Sequence, residues 1–315
     1  MKKAGFYAIC AGTVLTVLGT ALVVTRADRK VNDNPEYLAA LVTGCEEAVA
    51  RVQSGRGTAT VLWVRNSPQT GILEYEKEYR VAYDGEKCRV SKHSTVTRSE
   101  PPAVPRPGFR NLAVGTTFHV EFAYDGMWAV EYTPSERRAI VGEDPESIIG
   151  AERMGFRSST HPEEHGVGGS ACETGTRFVR MDEIDGNECA VVERATTFAH
   201  KGSDVTITQV AWICPGKGFT VLRSQNWAEG AEFLRKTLVN QMDAEVRNYG
   251  NDIWGPRKFT WIDYTREGVV YKKTITTYSP DFELGVPITE EELELDLPSG
   301  TEVRDEVLDA EYVVP

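Results

Sequence analysis

The chain has 315 residues, of which 41% are hydrophobic and 26% are charged, a composition typical of globular proteins and unlike that of disordered or collagen-like chains. Its 47 acidic residues outnumber its 35 basic residues, which are scattered along the chain, and the formal net charge is −12. A nucleic acid would be repelled by this charge, so no nucleic-acid partner is expected.

The N-terminus has the features of a targeting segment. Two lysines precede an uncharged run at residues 4–25. The run is close to the ~20 residues that cross a bilayer and longer than the ~7–15 of a signal-peptide core, although small residues at 19–21 offer a cleavage site. Residues 1–30 are therefore predicted to be a signal peptide or an N-terminal membrane anchor. The rest would be exported to the periplasm and, if the segment is uncleaved, tethered to the inner membrane.

Export would place the five cysteines beyond residue 30 in an oxidising compartment, where cysteines form disulfides. These cysteines are Cys45, Cys88, Cys172, Cys189 and Cys214. Because their number is odd, at least one is expected to be unpaired or to pair with another molecule.

An amphipathic helix is predicted in "EYLAALVTGCEEAVARVQSG", ending at Ser54 or Gly55. Its apolar residues recur at three- and four-residue spacings, which is typical of one helix face. They are Leu38, Leu41, Cys45, Val49 and Val52.

From Gly57 onward the hydrophobic pattern changes to a period of two, which is typical of β-strands. "ILEYEKEYRVAYDGEKCRVSKH" contains Asp84-Gly85, a tight-hairpin signal. If those two residues form the turn, Tyr79 lies opposite Val90.

A second segment with alternating apolar residues and an Asp-Gly turn occurs in "FHVEFAYDGMWAVEY", and "EIDGNECAVV" is a looser third copy. In the second copy a three-residue loop would place Tyr124 opposite Trp128 and Phe122 opposite Val130. The sequence therefore predicts consecutive antiparallel hairpins.

Two segments have the composition of irregular structure. "RSEPPAVPRPGF" is too rich in proline for a central strand, and residues 143–175 are rich in turn-forming residues. Further strands are predicted at residues 219–225, 237–249 (with a helix over 231–243 as the alternative), 258–264 and 269–278, and in "ELELDLPSGTEV", where Leu293, Leu295 and Leu297 alternate. The total is about ten strands.

Cys189 and Cys214 lie at equal distances from Lys201-Gly202, between two β-rich arms. A symmetric hairpin centred on those two residues would place the cysteines directly opposite each other, near the ~5.5 Å Cα separation that disulfides favour. Cys189 and Cys214 are therefore a disulfide candidate, and two buried thiols are the alternative.

Residues 161–165, "HPEEH", match the H-x-x-E-H pattern of a zinc-peptidase motif. Zinc hydrolysis needs two imidazoles on one side of a rigid helix and a third protein ligand. Pro162 and the glycines at 166–169 allow only a helical stub. His161 and His165 are thus only weak metal candidates, and a solvated polar loop is the preferred interpretation.

Other catalytic signatures are absent from the sequence, which has no G-x-S-x-G elbow, no Walker or dinucleotide glycine loop and no C-x-x-C. The acidic cluster at 289–298 lacks the pattern of a calcium loop and is predicted to be a solvated strand edge. No enzymatic activity, catalytic residue or cofactor is expected.

Several turn motifs resemble those of LolA-like proteins, the outer-membrane lipoprotein carriers of the bacterial envelope, in the divergent form of planctomycete-type genomes. "VAYDGEKCRV" resembles a hairpin of that family, "WICPGKGF" one of its turns, and "LPSGTEVRD" its closing segment. The resemblance covers most of residues 36–315. The sequence departs from the family pattern at Cys214, where the turn usually has Asp, and in the insert near 143–175.

The resemblance implies a mainly β (α+β) fold, in which an incomplete antiparallel β-barrel wraps around the N-terminal amphipathic helix and encloses an apolar cavity for acyl chains. The signal or anchor helix would precede it, and residues 31–315 would form one half-barrel domain. The alternating aromatic side chains are the candidates to line the cavity. They are Trp63, Tyr79, Phe118, Phe122, Trp128 and Tyr132. The same side chains packed against the helix would form an ordinary core, and both interpretations stay open.

The expected function is that of a non-enzymatic envelope protein that binds a lipid, an acyl chain or a lipoprotein in this cavity. The alternative is a membrane-anchored sensor or adaptor that binds another envelope protein. A zinc peptidase acting through "HPEEH" is the remote third hypothesis.

Overall fold

The computed structural model of the chain describes residues 35–67, 71–101, 112–142, 175–200, 202–231, 233 and 235–315, which are mainly β. The helices are α1 (Pro35–Arg51) and α2 (Glu290–Leu293), and Pro215–Lys217 forms a 3-10 turn. The strands are β1 (Ser54–Ser67), β2 (Gly71–Asp84), β3 (Lys87–Glu100), β4 (Thr117–Tyr124), β5 (Ala129–Thr133), β6 (Arg138–Gly142), β7 (Arg177–Ile184), β8 (Asn187–His200), β9 (Ser203–Cys214), β10 (Thr220–Gly230), β11 (Thr237–Asn248), β12 (Trp254–Tyr264), β13 (Val270–Tyr278), β14 (Glu283–Leu284), β15 (Glu302–Asp305) and β16 (Ala310–Val313).

These residues divide into two compact units. The first is the described part of Met1–Val49 and Glu163–Lys273, and the second that of Ala50–Pro162 and Thr274–Pro315. The strand order is β12-β11-β10-β9-β8-β7 in the first unit and β16-β15-β6-β5-β4-β3-β2-β1 in the second, where β14 pairs with β1. In neither unit do the first and last described strands of the order pair with each other, so the sheet is open, as expected for an incomplete barrel.

The described residues contain sixteen strands, against the roughly ten predicted. Three strands that the sequence did not indicate, β6, β14 and β16, have only two to five residues each. So few positions cannot show a period of two, which is the main strand signal in a sequence. In addition, β15 pairs with β6 in parallel, whereas the prediction was wholly antiparallel.

Helix α1 packs on the strands of the first unit. Near its start, the ring of Tyr37 meets the ring of Phe178 in β7 edge-on, with 4.9 Å between the centroids. Farther along, Gly44 is buried, and a Cβ atom at this position would overlap the ring of Phe219. The helix therefore approaches this ring more closely than any residue with a side chain would allow.

The predicted apolar face of α1 is found in part. Leu41 and Cys45 are buried, whereas Leu38 and Val49 are only half-buried. The helix ends at Arg51, before the predicted end at Ser54, which is already the first residue of β1.

The predicted strand "ELELDLPSGTEV" is wrong for most of its length. Thr289 precedes the single turn of α2 and donates its backbone N–H to the Glu292 carboxylate, an arrangement that starts helices. Only the last two residues of the predicted segment lie in a strand, β15. The alternating Leu295 and Leu297 instead pack from irregular backbone onto a core cluster around Val303. The alternation thus reported burial rather than strand geometry.

The acidic segment around α2 is held by basic side chains of the second unit. Arg56 of β1 contacts both Glu283 and Glu292 at 2.8 Å, and Lys87 contacts Glu290 at 3.0 Å. The pKa of Glu292 is lowered, first by the hydrogen bond from the Thr289 N–H and then by that from Arg56. The cluster therefore secures the segment after β14 by charge pairing at the surface.

We expect Arg56→Gln to increase the exchange of backbone amides at 289–294, because Glu283 and Glu292 lose their shared cation. The same loosening is expected in the wild type at low pH. A lowered carboxyl pKa stabilises the fold above the ordinary value of about 4.3, and this stabilisation is lost as the pH falls through the folded value. Hydrogen exchange, corrected for its intrinsic pH dependence, measures both effects. Arg304→Gln, which removes a separate surface pair with Glu306, is the control, and equal exchange in the two variants would contradict the assignment.

Within the described residues no helix is both long and apolar enough to cross a membrane. The predicted signal or anchor segment at 1–30, the proline-rich residues 102–109 and the insert at 143–174 lie outside them. Their assignments stay predictions, as does the single domain predicted for residues 31–315.

Candidate functional site

The register of β1 to β4 in the second unit decides which candidate ligand residues share a face. Directly opposed residues on neighbouring antiparallel strands lie on one face, and the faces alternate along each strand. Three successive rows of opposed residues are Trp63 with Tyr75; Lys77 with Ser94 and Phe118; and Tyr79 with Lys92 and Val120. We call the face that carries these rows the aromatic face.

Three rings form a continuous stripe on the aromatic face. The Trp63 and Tyr75 centroids are 5.5 Å apart, and those of Tyr75 and Phe118 are 6.5 Å apart. Trp63 and Tyr75 are half-buried, while Phe118 is 41% exposed. This aromatic stripe is an apolar surface that the described part of the chain leaves partly open.

Positive charge lies beside the aromatic stripe. The Lys77 ammonium lies 5.9 Å from the Trp63 ring centroid and 5.7 Å from that of Tyr75, within the range of a cation–π contact. Lys92 lies in the next row, and both charged residues of the three rows are thus lysines. This local charge is opposite in sign to the net charge of the chain.

Tyr75, Lys77 and Ser94 were not among the predicted site residues. The period of two already places Tyr75 and Lys77 on the face of Tyr79, so the sequence carried this signal. Ser94 could be found only from the register, which places it between Lys77 and Phe118.

Two predicted cavity residues on the aromatic face lie in the interior. Tyr79 and Phe122 are both buried, and Phe122 stands directly opposite Val90, another buried residue. Tyr79 lies opposite Lys92, not opposite Val90 as predicted, because the turn is formed by residues 85 and 86. This shift of two residues leaves Tyr79 on the expected face. Its ligand role, like that of Phe122, stays a prediction.

Trp128 lies in a turn rather than on the sheet. Its backbone N–H donates to the Asp125 carboxylate, as does that of Met127, and its carbonyl accepts from the Asp125 N–H. The loop therefore has four residues, and Tyr124 faces Ala129 instead of Trp128 as predicted. The short side chain of Asp125 satisfies the turn backbone, which fixes the longer loop.

The extra loop residue moves Tyr132 to the other face of the sheet. Phe122 stands opposite Glu131 instead of Val130, and Tyr132 stands opposite Glu121. A shift of one residue in register exchanges the two faces of a strand. Tyr132 is buried with Ala139 and Val303 in a separate core cluster, so it does not share a face with the aromatic stripe.

A polar cluster occupies the face opposite the aromatic face. One Glu121 carboxylate oxygen lies 2.7 Å from both the Ser91 hydroxyl and His119 Nε2, and the rings of His93 and His119 stack at 3.9 Å. Nucleophilic catalysis needs the acid on one imidazole nitrogen and the serine on the other. Here both groups meet the same nitrogen, Nε2, so the cluster lacks the arrangement of a catalytic triad.

No group of metal-binding side chains occurs among the described residues. His161 and His165 of "HPEEH" lie outside those residues, and their metal role stays a prediction.

The prediction for the Cys189–Cys214 hairpin is confirmed in its register. His200 pairs with Ser203 and Ala190 pairs with Ile213, so the next position in the same register sets Cys189 opposite Cys214. Both sulfurs are thiols in this structure and lie in a core cluster of the first unit that includes Trp212. The disulfide itself stays a prediction.

The two thiols influence each other's ionisation. A hydrogen bond from the Cys189 thiol lowers the pKa of Cys214, and the backbone N–H groups of Lys217 and Gly216 in the 3-10 turn act in the same direction. The same bond, followed by burial, raises the pKa of Cys189. Cys214 is thus the better thiolate and nucleophile of the pair.

Comparisons with known proteins give structural similarities only. No family model and no curated protein matches the sequence. The chain is similar to the crystal structure of an outer-membrane lipoprotein-sorting protein domain from Vibrio parahaemolyticus, with 14% identity, a TM-score of 0.41 and coverage of 82% of this chain and 97% of that one.

It is also similar to the LolA superfamily protein NE2245 from Nitrosomonas europaea, with 13% identity, a TM-score of 0.38 and coverage of 82% of this chain and 97% of that one. A third similar structure is LprF from Mycobacterium bovis, with 11% identity, a TM-score of 0.30 and coverage of 82% of this chain and 96% of that one.

Proposed function

We propose that this protein is a non-enzymatic carrier or binder of the bacterial envelope, which holds an acyl chain of a lipid or lipoprotein on the aromatic face. The observation that supports this function best is the partly open aromatic stripe of Trp63, Tyr75 and Phe118. Rings at these separations present a continuous apolar surface, and soluble proteins expose large aromatic side chains mainly where they bind something.

Affinity in such a site comes from burial and needs no covalent step. Each methylene of an acyl chain that leaves water contributes about 0.8 kcal/mol, so about ten buried methylenes would contribute about 8 kcal/mol before the cost of association is subtracted. In this proposal the N-terminal segment at 1–30 brings the protein to the periplasm and, if it is uncleaved, holds it at the inner membrane, where lipids and lipoproteins are available.

The function is tested with the full-length protein, kept in a non-ionic amphipol. We expect a C14 lysophospholipid, added below its critical micelle concentration, to bind in titration calorimetry and to remain bound in native mass spectrometry. If neither a zwitterionic nor an anionic lysophospholipid binds, the proposed function is wrong.

Phe118→Ser is expected to weaken this binding about tenfold, because the substitution removes a ring that is worth 1 to 2 kcal/mol of apolar contact. The free energy of unfolding should fall by about 1 kcal/mol, since Phe118 is only 41% exposed and its ring contributes part of its burial to the fold. Val269→Ser, at an exposed apolar residue of the other unit, is the matched control and should leave binding unchanged. Equal affinities in the two variants would place the lipid elsewhere.

An adaptor that binds another envelope protein is the second candidate. It is supported by β16, the end strand of the second unit, where Tyr312 and Val313 are exposed. An exposed strand edge with apolar side chains can pair with a strand of a partner. Two results would favour this function. The protein would bind no lipid, and cross-linking to an envelope partner would be lost in the Val313→Lys variant.

A further inference from the structure

We propose that the aromatic face selects an amphiphile with an anionic head group, which Lys77, Ser94 and Lys92 would hold beside the acyl chain on the aromatic stripe. This inference rests on the proposed function and narrows its ligand. A neutral acyl chain of a lipoprotein would use the stripe alone, whereas a lipid with a carboxylate or phosphate would use both.

The first observation is an orphaned hydroxyl. Ser94 is only 4% exposed, and its Oγ has no hydrogen-bond partner. Leaving a buried polar group without a partner is unfavourable, and such groups in native proteins commonly bind a water, an ion or a ligand. Ser94 is therefore a donor without an acceptor on the face where the ligand is proposed.

The second observation is where this hydroxyl lies. Ser94 stands directly opposite Lys77 on one side and directly opposite Phe118 on the other. Directly opposed residues have Cα atoms about 4.5 to 5.5 Å apart, so one head-group oxygen can reach both the hydroxyl and the lysine ammonium. The same oxygen would lie next to the ring at the exposed end of the aromatic stripe.

The third observation is charge. In the three rows that contain the stripe, the charged residues are Lys77 and Lys92, and both are half-buried. Each ammonium has three donors, and a partly desolvated lysine prefers an anion to water more strongly than an exposed one does. An anionic head group is thus complementary to this part of an otherwise acidic protein.

The aromatic stripe and the row of Lys77, Ser94 and Phe118 are also arranged so that one ligand can contact both. The rows are adjacent on the same face, and the Lys77 ammonium already lies over the Trp63 and Tyr75 rings. A ligand that joins a chain to a charge would cover both with a single molecule. We therefore commit to an anionic single-chain lipid rather than to a free anion.

The test compares C14 lysophosphatidylglycerol, which is anionic, with the C14 monoacylglycerol, which has the same chain and neither a phosphate nor any charge. We expect the anionic lipid to bind about tenfold more tightly at low salt, the effect of one charge-assisted contact, and this preference to shrink as salt is added. Glycerol phosphate alone should not bind measurably. If glycerol phosphate binds as tightly as the anionic lipid, the site holds a free anion and the inference is wrong.

The variants locate the preference. Lys77→Gln and Ser94→Ala should each reduce this preference several-fold while leaving the affinity for the uncharged monoacylglycerol unchanged, and Lys77→Arg should retain the preference. Thr276→Val is the matched control, because Thr276 is another buried residue of the second unit whose hydroxyl has no partner. If the Ser94 hydroxyl lacks a partner for structural reasons alone, Ser94→Ala and Thr276→Val would both leave lipid binding unchanged. That result would contradict the role proposed for Ser94.

The outcomes separate this inference from the function on which it rests. Equal binding of the two lipids, unaffected by Lys77→Gln, overturns the anionic preference and leaves acyl-chain binding in place. Binding of neither lipid overturns both.

Discussion

Oxidation of Cys189 and Cys214 to a disulfide is expected to raise the free energy of unfolding by about 3 kcal/mol. The register sets the two residues opposite each other at the end of the β8–β9 pair, so the bond would close the whole hairpin and restrict the unfolded chain. The two thiols together give up two protons and two electrons to an external disulfide such as oxidised glutathione, which is reduced to two thiols. Because both cysteines are buried, the bond is expected to form during folding and to resist reduction in the native state.

Urea unfolding with and without dithiothreitol measures this difference, and peptide mapping identifies the bonded pair. Cys189→Ala should abolish the stability difference between oxidised and reduced protein, whereas Cys88→Ala should preserve it. Mapping that places Cys189 or Cys214 in a bond with another cysteine would contradict the predicted pairing. Equal stability in both redox states would show that the pair is a structural dithiol.

Gly44→Leu is expected to lower the free energy of unfolding by about 3 kcal/mol, the upper part of the range for overpacked cores. A Cβ atom at Gly44 already overlaps the Phe219 ring, so a leucine would push helix α1 away from the strands of the first unit. The overlap should outweigh the helix propensity of leucine, which exceeds that of glycine by up to about 1 kcal/mol. Chemical denaturation measures the loss.

Ala40→Leu is the matched control, because it adds a leucine to an exposed position of the same helix and should change stability by less than about 0.5 kcal/mol. Phe219 also has a φ of 59°, a region that favours glycine, so Phe219→Gly removes both the ring and the backbone strain. The double variant Gly44→Leu/Phe219→Gly should therefore be more stable than the sum of the two single changes predicts. Additive effects would mean that the ring is not the obstacle.

The hairpins show how far the sequence could predict register. At Lys201-Gly202 the symmetric arrangement was predicted correctly, since long β-rich arms on both sides leave few alternatives. At Asp84-Gly85 the turn moved by one position, which changed each pairing by two residues and left every side chain on its expected face. At Asp125-Gly126 the pairing changed by one residue, and Tyr132 was exchanged to the opposite face.

This difference has a local physical cause. A sequence pattern reports the alternation of each strand, but the length of the loop depends on which side chain satisfies the turn backbone. At the second hairpin the Asp125 carboxylate accepts two backbone N–H groups, which the pattern of apolar residues did not indicate. The candidate site was accordingly predicted in its aromatic residues Trp63 and Phe118 and missed in Ser94, whose role follows only from cross-strand pairing.

Strands β1, β2 and β3 have 14 residues each, so each is about 45 Å long. Along β2, the buried Tyr83 near the hairpin turn and Tyr75 of the aromatic stripe are eight positions, or about 26 Å, apart. Substitutions separated by more than about 10 Å usually act independently on stability. The side chains of the aromatic stripe can therefore change without disturbing the packing that keeps the other end of these strands folded.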